Sequence, residues 1–183
     1  EDPYSRNEKT GEGRSMGTFA EECVAKYCFS REQLDAFAIE SVRRAQNATE
    51  SGDFQWEIAP VTVANRLGEA IIEKDEGPVK AKVDKIPTLR PAFKKDGVIT
   101  AASSSSINDG AAALVMMRES TAKELGLAPI ARIVGHTTHA QEPDQFTTAP
   151  ICSLNKLFKK TGWSAKDVDL FEINEAFAAV PMA

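Results

Sequence analysis

"GVITAASSSSINDGAAALVMM", residues 97–117, divides the chain into two halves of different rhythm. Val98 and Ile99 lead into four consecutive serines and an Asn108, Asp109, Gly110 turn signal, after which residues 110–117 are uninterruptedly small and apolar. Two apolar runs separated by turn chemistry predict a strand, a polar loop and a second, buried strand. Downstream, ESTAKELG predicts a short helix ending at Gly126, and PIARIVG predicts another strand. Pro150 in a first-turn position, with Ile151, Leu154, Leu157 and Phe158 behind it, predicts a helix that stops near Gly162, and DLFEI a strand after it. Strands alternating with helices mark an α/β layer built on crossover units.

Upstream the alternation is missing. The opening residues, EDPYSRNEKTGEGR, are polar and periodless and predict a loop. TFAE then places Thr18 as an N-cap with Glu21 at capping-box spacing, and Phe19, Cys23 and Tyr27 recur along one face of the helix that follows. SREQ repeats the device with Ser30 and Gln33, ahead of a stripe of Leu34, Phe37, Ala38, Ser41, Val42 and Ala45 that Gly52 closes. The β-branched stretch WEIAPVTVANRLGEAIIEKDEGP predicts two short strands joined near Gly68, and Pro87 and Pro91 bracket an irregular segment. A domain boundary is therefore expected between Gly97 and Ser106.

With 183 residues, 42% of them hydrophobic and 27% charged, the chain can bury a core of its own. Its longest apolar runs fall short of a membrane span, and no basic-then-apolar segment opens it, which points to a cytoplasmic or matrix-like setting and away from membranes. Cys23, Cys28 and Cys152 lack metal-ligand spacing, and an odd count argues against a disulfide framework, so no metal site is expected. A net charge of −5 gives no general attraction for nucleic acid. Locally the balance reverses: Lys80, Lys82, Lys85, Arg90, Lys94 and Lys95 face a single acid, Asp84. Such a run is either a solvated face or a phosphate-binding edge.

Three further stretches carry polar groups in suggestive places. Asn174 sits where a strand is expected to enter a helix, so its side chain is either an N-cap, with Glu175 favouring the helix dipole, or a donor to a reacting oxygen in the crevice beyond the strand ends. These roles compete for the orientation of one amide. The serines of SSSSINDG are either a solvated turn or a ligand loop. His136 and His139 have no serine or cysteine at triad spacing and read as surface residues; neither a Gly-rich phosphate loop nor an HExxH pair occurs.

Taken together, INEAFA (173–178), ITAASSSSINDGAAALV (99–115) and SMGTFAEE (15–22) resemble the thiolases, with SREQLDAFAIES, IPTLRPAFKKDG and TGWSAKDVDLFEINEAFA following the same pattern in the same order. The subgroup resembled most is the bacterial acetyl-CoA acetyltransferases. The resemblance spans essentially the whole chain. It implies a fragment of the thiolase fold, an αβαβα layered α/β architecture: residues 1–97 as most of the loop domain that faces coenzyme A, and residues 98–183 as the opening of the C-terminal α/β half. On that reading the chain is the middle of a longer protein.

The implied activity is acetyl-CoA C-acetyltransfer, joining two acetyl-CoA into acetoacetyl-CoA plus coenzyme A, or the reverse thiolysis, by ping-pong chemistry through a cysteine thioester. Coenzyme A and acyl-CoA enter as substrates, with no covalently bound cofactor. None of the three cysteines matches the family's nucleophile or its acid/base cysteine, and the family's acid/base histidine has no counterpart, so activity of these residues alone is not expected. Asn174 matches the asparagine that orders a water in an oxyanion hole. Ser105 matches a serine beside the pantetheine arm, and Ala101, Met16, Ala176 and Phe177 match apolar positions along the coenzyme pocket. Ser15 and Ser103 depart from the family, where histidine and asparagine are common. Further expectations are a phosphate-binding role for residues 80–95 and assembly of the full-length enzyme as a dimer or tetramer. The alternatives are a 3-ketoacyl-CoA thiolase of broader chain length and a non-catalytic coenzyme A-binding module.

Overall fold

A computed structural model describes residues 2–6, 11–66 and 68–183. The chain opens with an antiparallel pair, β1 (Asp2–Arg6) and β2 (Gly13–Arg14), whose register shifts between the Asp2 and Arg6 pairings. This corrects the expected opening loop; residues 7–10 of that stretch lie outside the described residues. Polar composition hides the pairing, because a short antiparallel pair is held by main-chain hydrogen bonds, which leave no mark in side-chain type.

Two helices follow. Helix α1 (Met16–Tyr27) starts one turn earlier than TFAE suggests: Ser15 is its N-cap and makes no side-chain cap bond. Thr18 instead donates its hydroxyl to the Ser15 carbonyl at 2.7 Å. Its would-be capping partner, Glu21, points away from the helix end and accepts the backbone N–H groups of Val98 and Ile99 at 3.0 and 2.9 Å. Helix α2 (Arg31–Ser51) does carry the expected capping box, with Gln33 N–H donating to Ser30 Oγ at 3.2 Å and Ser30 N–H donating to Gln33 Oε1 at 2.8 Å. Gly52 ends it in the left-handed conformation, which glycine adopts without a Cβ penalty.

The expected hairpin is present as β3 (Val61–Asn65) and β4 (Gly68–Ile72), antiparallel and in continuous register from Val61↔Ile72 to Asn65↔Gly68; Leu67, in its turn, lies outside the described residues. A short helix, α3 (Glu76–Lys80), and a 3₁₀ segment, Val83–Thr88, then run back along α2. Side chains of α2 hold them there: Gln46 donates to the Pro78 carbonyl at 2.8 Å, and Arg31 donates to Leu89 O and Asp35 Oδ2, each at 2.8 Å. The irregular segment between the prolines is thereby fastened through its own carbonyls.

From residue 97 on, two helices form where expected, a third starts later than expected, and the expected strands do not form. Helices α4 (Glu119–Glu124), α5 (Ala149–Thr161) and α6 (Ala179–Met182) are separated by non-regular chain, apart from 3₁₀ segments at Pro143–Thr148 and Ala165–Asp167 and an isolated antiparallel bridge between Ser104 and Phe177. The expected strands in GVITA, AAALVMM, PIARIVG and DLFEI are therefore corrected. A strand is held by a neighbour's N–H and C=O groups, and among the described residues these segments have no ladder partner. Ile99 of the first segment is buried in the core, whereas most apolar side chains of the later ones face outward, with Val115 89%, Ile130 87% and Leu170 89% exposed.

The core lies elsewhere and joins distant parts of the chain. Ala20, Cys23 and Val24 of α1, Leu34 of α2, Ile99, and residues 177–180 pack as one cluster, with Phe37, Phe146 and Ile173 against it. Cys23 is buried, as its place on the α1 stripe requires. No helix among the described residues is long and apolar enough to cross a membrane.

Candidate active site

The serine run leaves this core as an ordered turn. Thr100, fully buried, accepts the Ala102 N–H on its hydroxyl at 3.2 Å, while Ser103 Oγ accepts the Thr100 N–H at 2.9 Å and Ser104 Oγ donates to Thr100 O at 2.7 Å. The turn is laced to the C-terminal segment by main-chain bonds: Ser105 N–H to Ala176 O at 3.0 Å and Ala178 N–H to Ser103 O at 2.9 Å. Ser103 and Ser104 are thus consumed in structure, whereas Ser105 and Ser106 remain exposed.

Between this turn, α2 and residues 174–178 lies a cleft of about 390 Å³. Phe37, Ser41 and Val42 of α2 form one wall, the serine turn and Asn108 the other, and Asn174 and Glu175 close one side. Asn174 is not an N-cap, which corrects that reading: α6 begins at Ala179, with Ala178 at its cap position. The reason is packing, since Phe177 and Ala178 are drawn into the core and bridged to the serine turn before the helix can start. The Asn174 side chain is exposed and has no hydrogen-bond partner among the described residues, so its amide is uncommitted at the cleft. Glu175, by contrast, accepts a hydrogen bond from Ser41 Oγ at 2.6 Å.

The other candidate residues fall around the cleft rather than in it. Ala176 contributes the carbonyl that fixes Ser105. Phe177 is buried, with its ring edge-on to Phe93 at 5.8 Å between centroids, and Phe93 in turn lies so close to Gly17 that a Cβ there would overlap its ring. Met16, the neighbour of Gly17, and Ala101 are exposed and do not line the cleft. Cys23, Cys28 and Cys152 are all free thiols and none lines it either. His136 is exposed; His139 is half-buried and sits 3.0 Å from Lys156 Nζ, away from the cleft. Among the described residues no group of three His, Cys, Asp or Glu side chains is arranged to hold a metal.

Sequence reading missed the contribution of α2 to this site. A signal existed: Ser41 is the one hydroxyl in the stripe of Leu34, Phe37, Ala38, Val42 and Ala45, where a purely structural face would be apolar throughout.

Comparison with known proteins places this geometry in a family. The pattern described as "Thiolase, N-terminal domain" matches residues 7–120, and that of "Thiolase, C-terminal domain" matches residues 127–183. The chain belongs to the thiolase family of acyltransferases, and its mixed helix-and-sheet structure is part of the thiolase fold. It is 46% identical over 172 residues to a probable acetyl-CoA acetyltransferase of Dictyostelium discoideum, covering 93% of this chain and 42% of that protein. It is 44% identical to the acetyl-CoA acetyltransferase of Schizosaccharomyces pombe, covering 94% of this chain and 44% of that one. The crystal structure of the Bacillus anthracis acetyl-CoA acetyltransferase superposes with a TM-score of 0.88 at 42% identity, covering 93% of this chain and 44% of that one. The chain thus spans less than half the length of the relatives it matches.

Proposed function

We propose that these residues supply the oxyanion side and part of the coenzyme pocket of an acetyl-CoA acetyltransferase. The observation that carries the reading is the uncommitted Asn174 amide, placed on a cleft that the exposed Ser105 also lines, in a chain of thiolase sequence. In such a reaction a thiolate attacks a thioester carbonyl, and negative charge grows on the carbonyl oxygen as the carbon becomes tetrahedral. A fixed N–H donor, acting directly or through one water, is worth most at that moment. An asparagine already spent on a helix cap could not provide it.

In the first half-reaction the acyl group passes from the coenzyme sulfur to a cysteine sulfur, and the coenzyme thiolate leaves and takes a proton. In the second, the carbanion formed from another acetyl-CoA attacks that cysteine thioester, forming the carbon–carbon bond and releasing the cysteine. Cys23 is buried in the core, Cys28 is the exposed C-cap of α1, and Cys152 lies in α5, so none of them is assigned as the nucleophile. Ser105, Ala101, Met16, Ala176 and Phe177 are assigned to the pantetheine and coenzyme path. Residues 1–97 are assigned to the loop domain and 98–183 to the opening of the C-terminal half, where the outward-facing apolar segments would pair as strands in the complete enzyme. Lys82, Arg90, Lys94 and Lys95, exposed and without ion pairs among the described residues, are assigned to the phosphate end of coenzyme A. A cytoplasmic, oligomeric enzyme follows from the same reading.

The test is thiolysis of acetoacetyl-CoA by the full-length protein, read as acetyl-CoA formed. Wild type is expected to turn over, and Asn174→Ala to lose on the order of 10²–10³ in kcat, the loss typical of removing one oxyanion donor. Wild-type kcat in Asn174→Ala would remove this assignment.

A further inference from the structure

We infer that Ser41 and Glu175 form a positioning pair that holds the Asn174 turn against helix α2. The inference rests on the oxyanion reading of Asn174. Residues 171–175 belong to no regular element, and α6 starts only at Ala179, so helix hydrogen bonds do not fix the residue that must aim its amide. Two main-chain bonds anchor the chain on the C-terminal side, through Ala176 and Ala178 to the serine turn. Toward α2 the polar fastening among the described residues is a side-chain hydrogen bond, Ser41 Oγ to Glu175 Oε2 at 2.6 Å, between residues 134 apart in sequence.

Three features make this contact a positioning device. A hydroxyl donating to a carboxylate at that distance is a charge-assisted bond, shorter and more directional than a neutral one. A serine inside a helix ordinarily turns its hydroxyl back to the carbonyl four residues earlier; Ser41 donates to Glu175 instead. Among the described residues no cation lies within ion-pair distance of Glu175, so Ser41 has no competitor for it. The neighbouring acid, Glu40, is occupied by Arg43 and Arg44 at 2.9 and 2.8 Å. Because Glu175 follows Asn174 directly, a shift of its backbone moves the amide by a comparable amount, and misplacement on the scale of an ångström is felt in the rate.

Loss of the pair should therefore lower kcat and leave ground-state binding of the coenzyme nearly untouched. The experiment compares Ser41→Ala, Ser41→Thr, Glu175→Gln and the double variant Ser41→Ala/Glu175→Gln with wild type in the full-length enzyme, measuring kcat and KM for thiolysis. Expected are a kcat loss on the order of tenfold in Ser41→Ala with KM for coenzyme A within about twofold, recovery in Ser41→Thr, which retains the hydroxyl, and a double variant no slower than the slower single one. Wild-type kcat in Ser41→Ala overturns the inference. So does equal loss in Ser41→Ala and Ser41→Thr, which would make packing of α2 the cause, or independent losses that multiply in the double variant. Failure of the oxyanion reading is seen separately, as wild-type kcat in Asn174→Ala.

Discussion

Glu21 shows how a single side chain can join α1 to a segment almost eighty residues further along the chain. Its carboxylate is buried beside the backbone of residues 97–99, accepts the N–H groups of Val98 and Ile99, and lies where a Cβ on Gly97 would overlap it. Among the described residues those N–H groups have no strand partner, and the carboxylate takes the place of a sheet neighbour. Glu21→Ala is expected to destabilise the protein by about 1–3 kcal/mol for each N–H left unsatisfied, and Glu21→Gln by less because one acceptor oxygen survives. Urea unfolding midpoints of the two variants measure the difference. Phe177→Ala removes a buried ring between Phe93 and Phe146 and is expected to lose about 3–5 kcal/mol. At this scale the sequence was partly legible. Asn174 and Ser105 stood out by residue type and fall on one cleft, but Ser41 did not, because its partner is set by a tertiary contact. Glu21 was given the wrong partner for the same reason: its spacing fits a local cap, and a long-range acceptor role leaves no local trace.

Among the elements, α2, α5 and the β3–β4 hairpin formed where their local signals place them, whereas α1 starts a turn before its own. Helix α2 has its capping box and its left-handed glycine end, and α5 has Pro150 in its first turn and Gly162 at its close. Ser30→Ala is expected to destabilise α2 by about 1 kcal/mol and Ser30→Asp to recover most of it, read as thermal midpoints. The 3₁₀ segment Ala165–Asp167 carries a similar device, in which Asp167 accepts from Ser164 N–H at 2.7 Å and from its hydroxyl at 2.8 Å. These bonds, the backbone one foremost, hold the Asp167 carboxyl below its ordinary value. Because the folded value is depressed, the stabilisation is present above the ordinary carboxylate value and is lost as pH falls through the lower, folded one. Ser164→Ala should move the Asp167 titration upward only in part, since the backbone donor remains; NMR titration of the Asp167 carboxyl checks this. Strands were legible as apolar runs but not as ladders, because pairing depends on which neighbour is present and a run carries no information about that.

For the molecule as a whole, the core gathers α1, the start of α2, Ile99 and residues 177–180, while the apolar segments around Val115, Ile130 and Leu170 stay outside it. Apolar surface of that extent favours association. Residues 1–183 alone are expected to self-associate in sedimentation velocity and to bind a hydrophobic dye; a monodisperse, dye-negative monomer would show that the segments find cover within the chain. Periodicity sets the expectation of a boundary near residue 97, whereas the joining of the segments on either side of it through Glu21 and Phe177 leaves no local trace, since it links residues far apart. The same separation bears on synthesis. Ser41 meets a partner made 134 residues later, which at roughly 5–20 residues per second is a wait on the order of ten seconds. Throughout that interval the apolar stripe of α2 has left the ribosome without the surface it will cover, so the wall of the cleft is also where a nascent chain is most open to chaperone capture or misassembly.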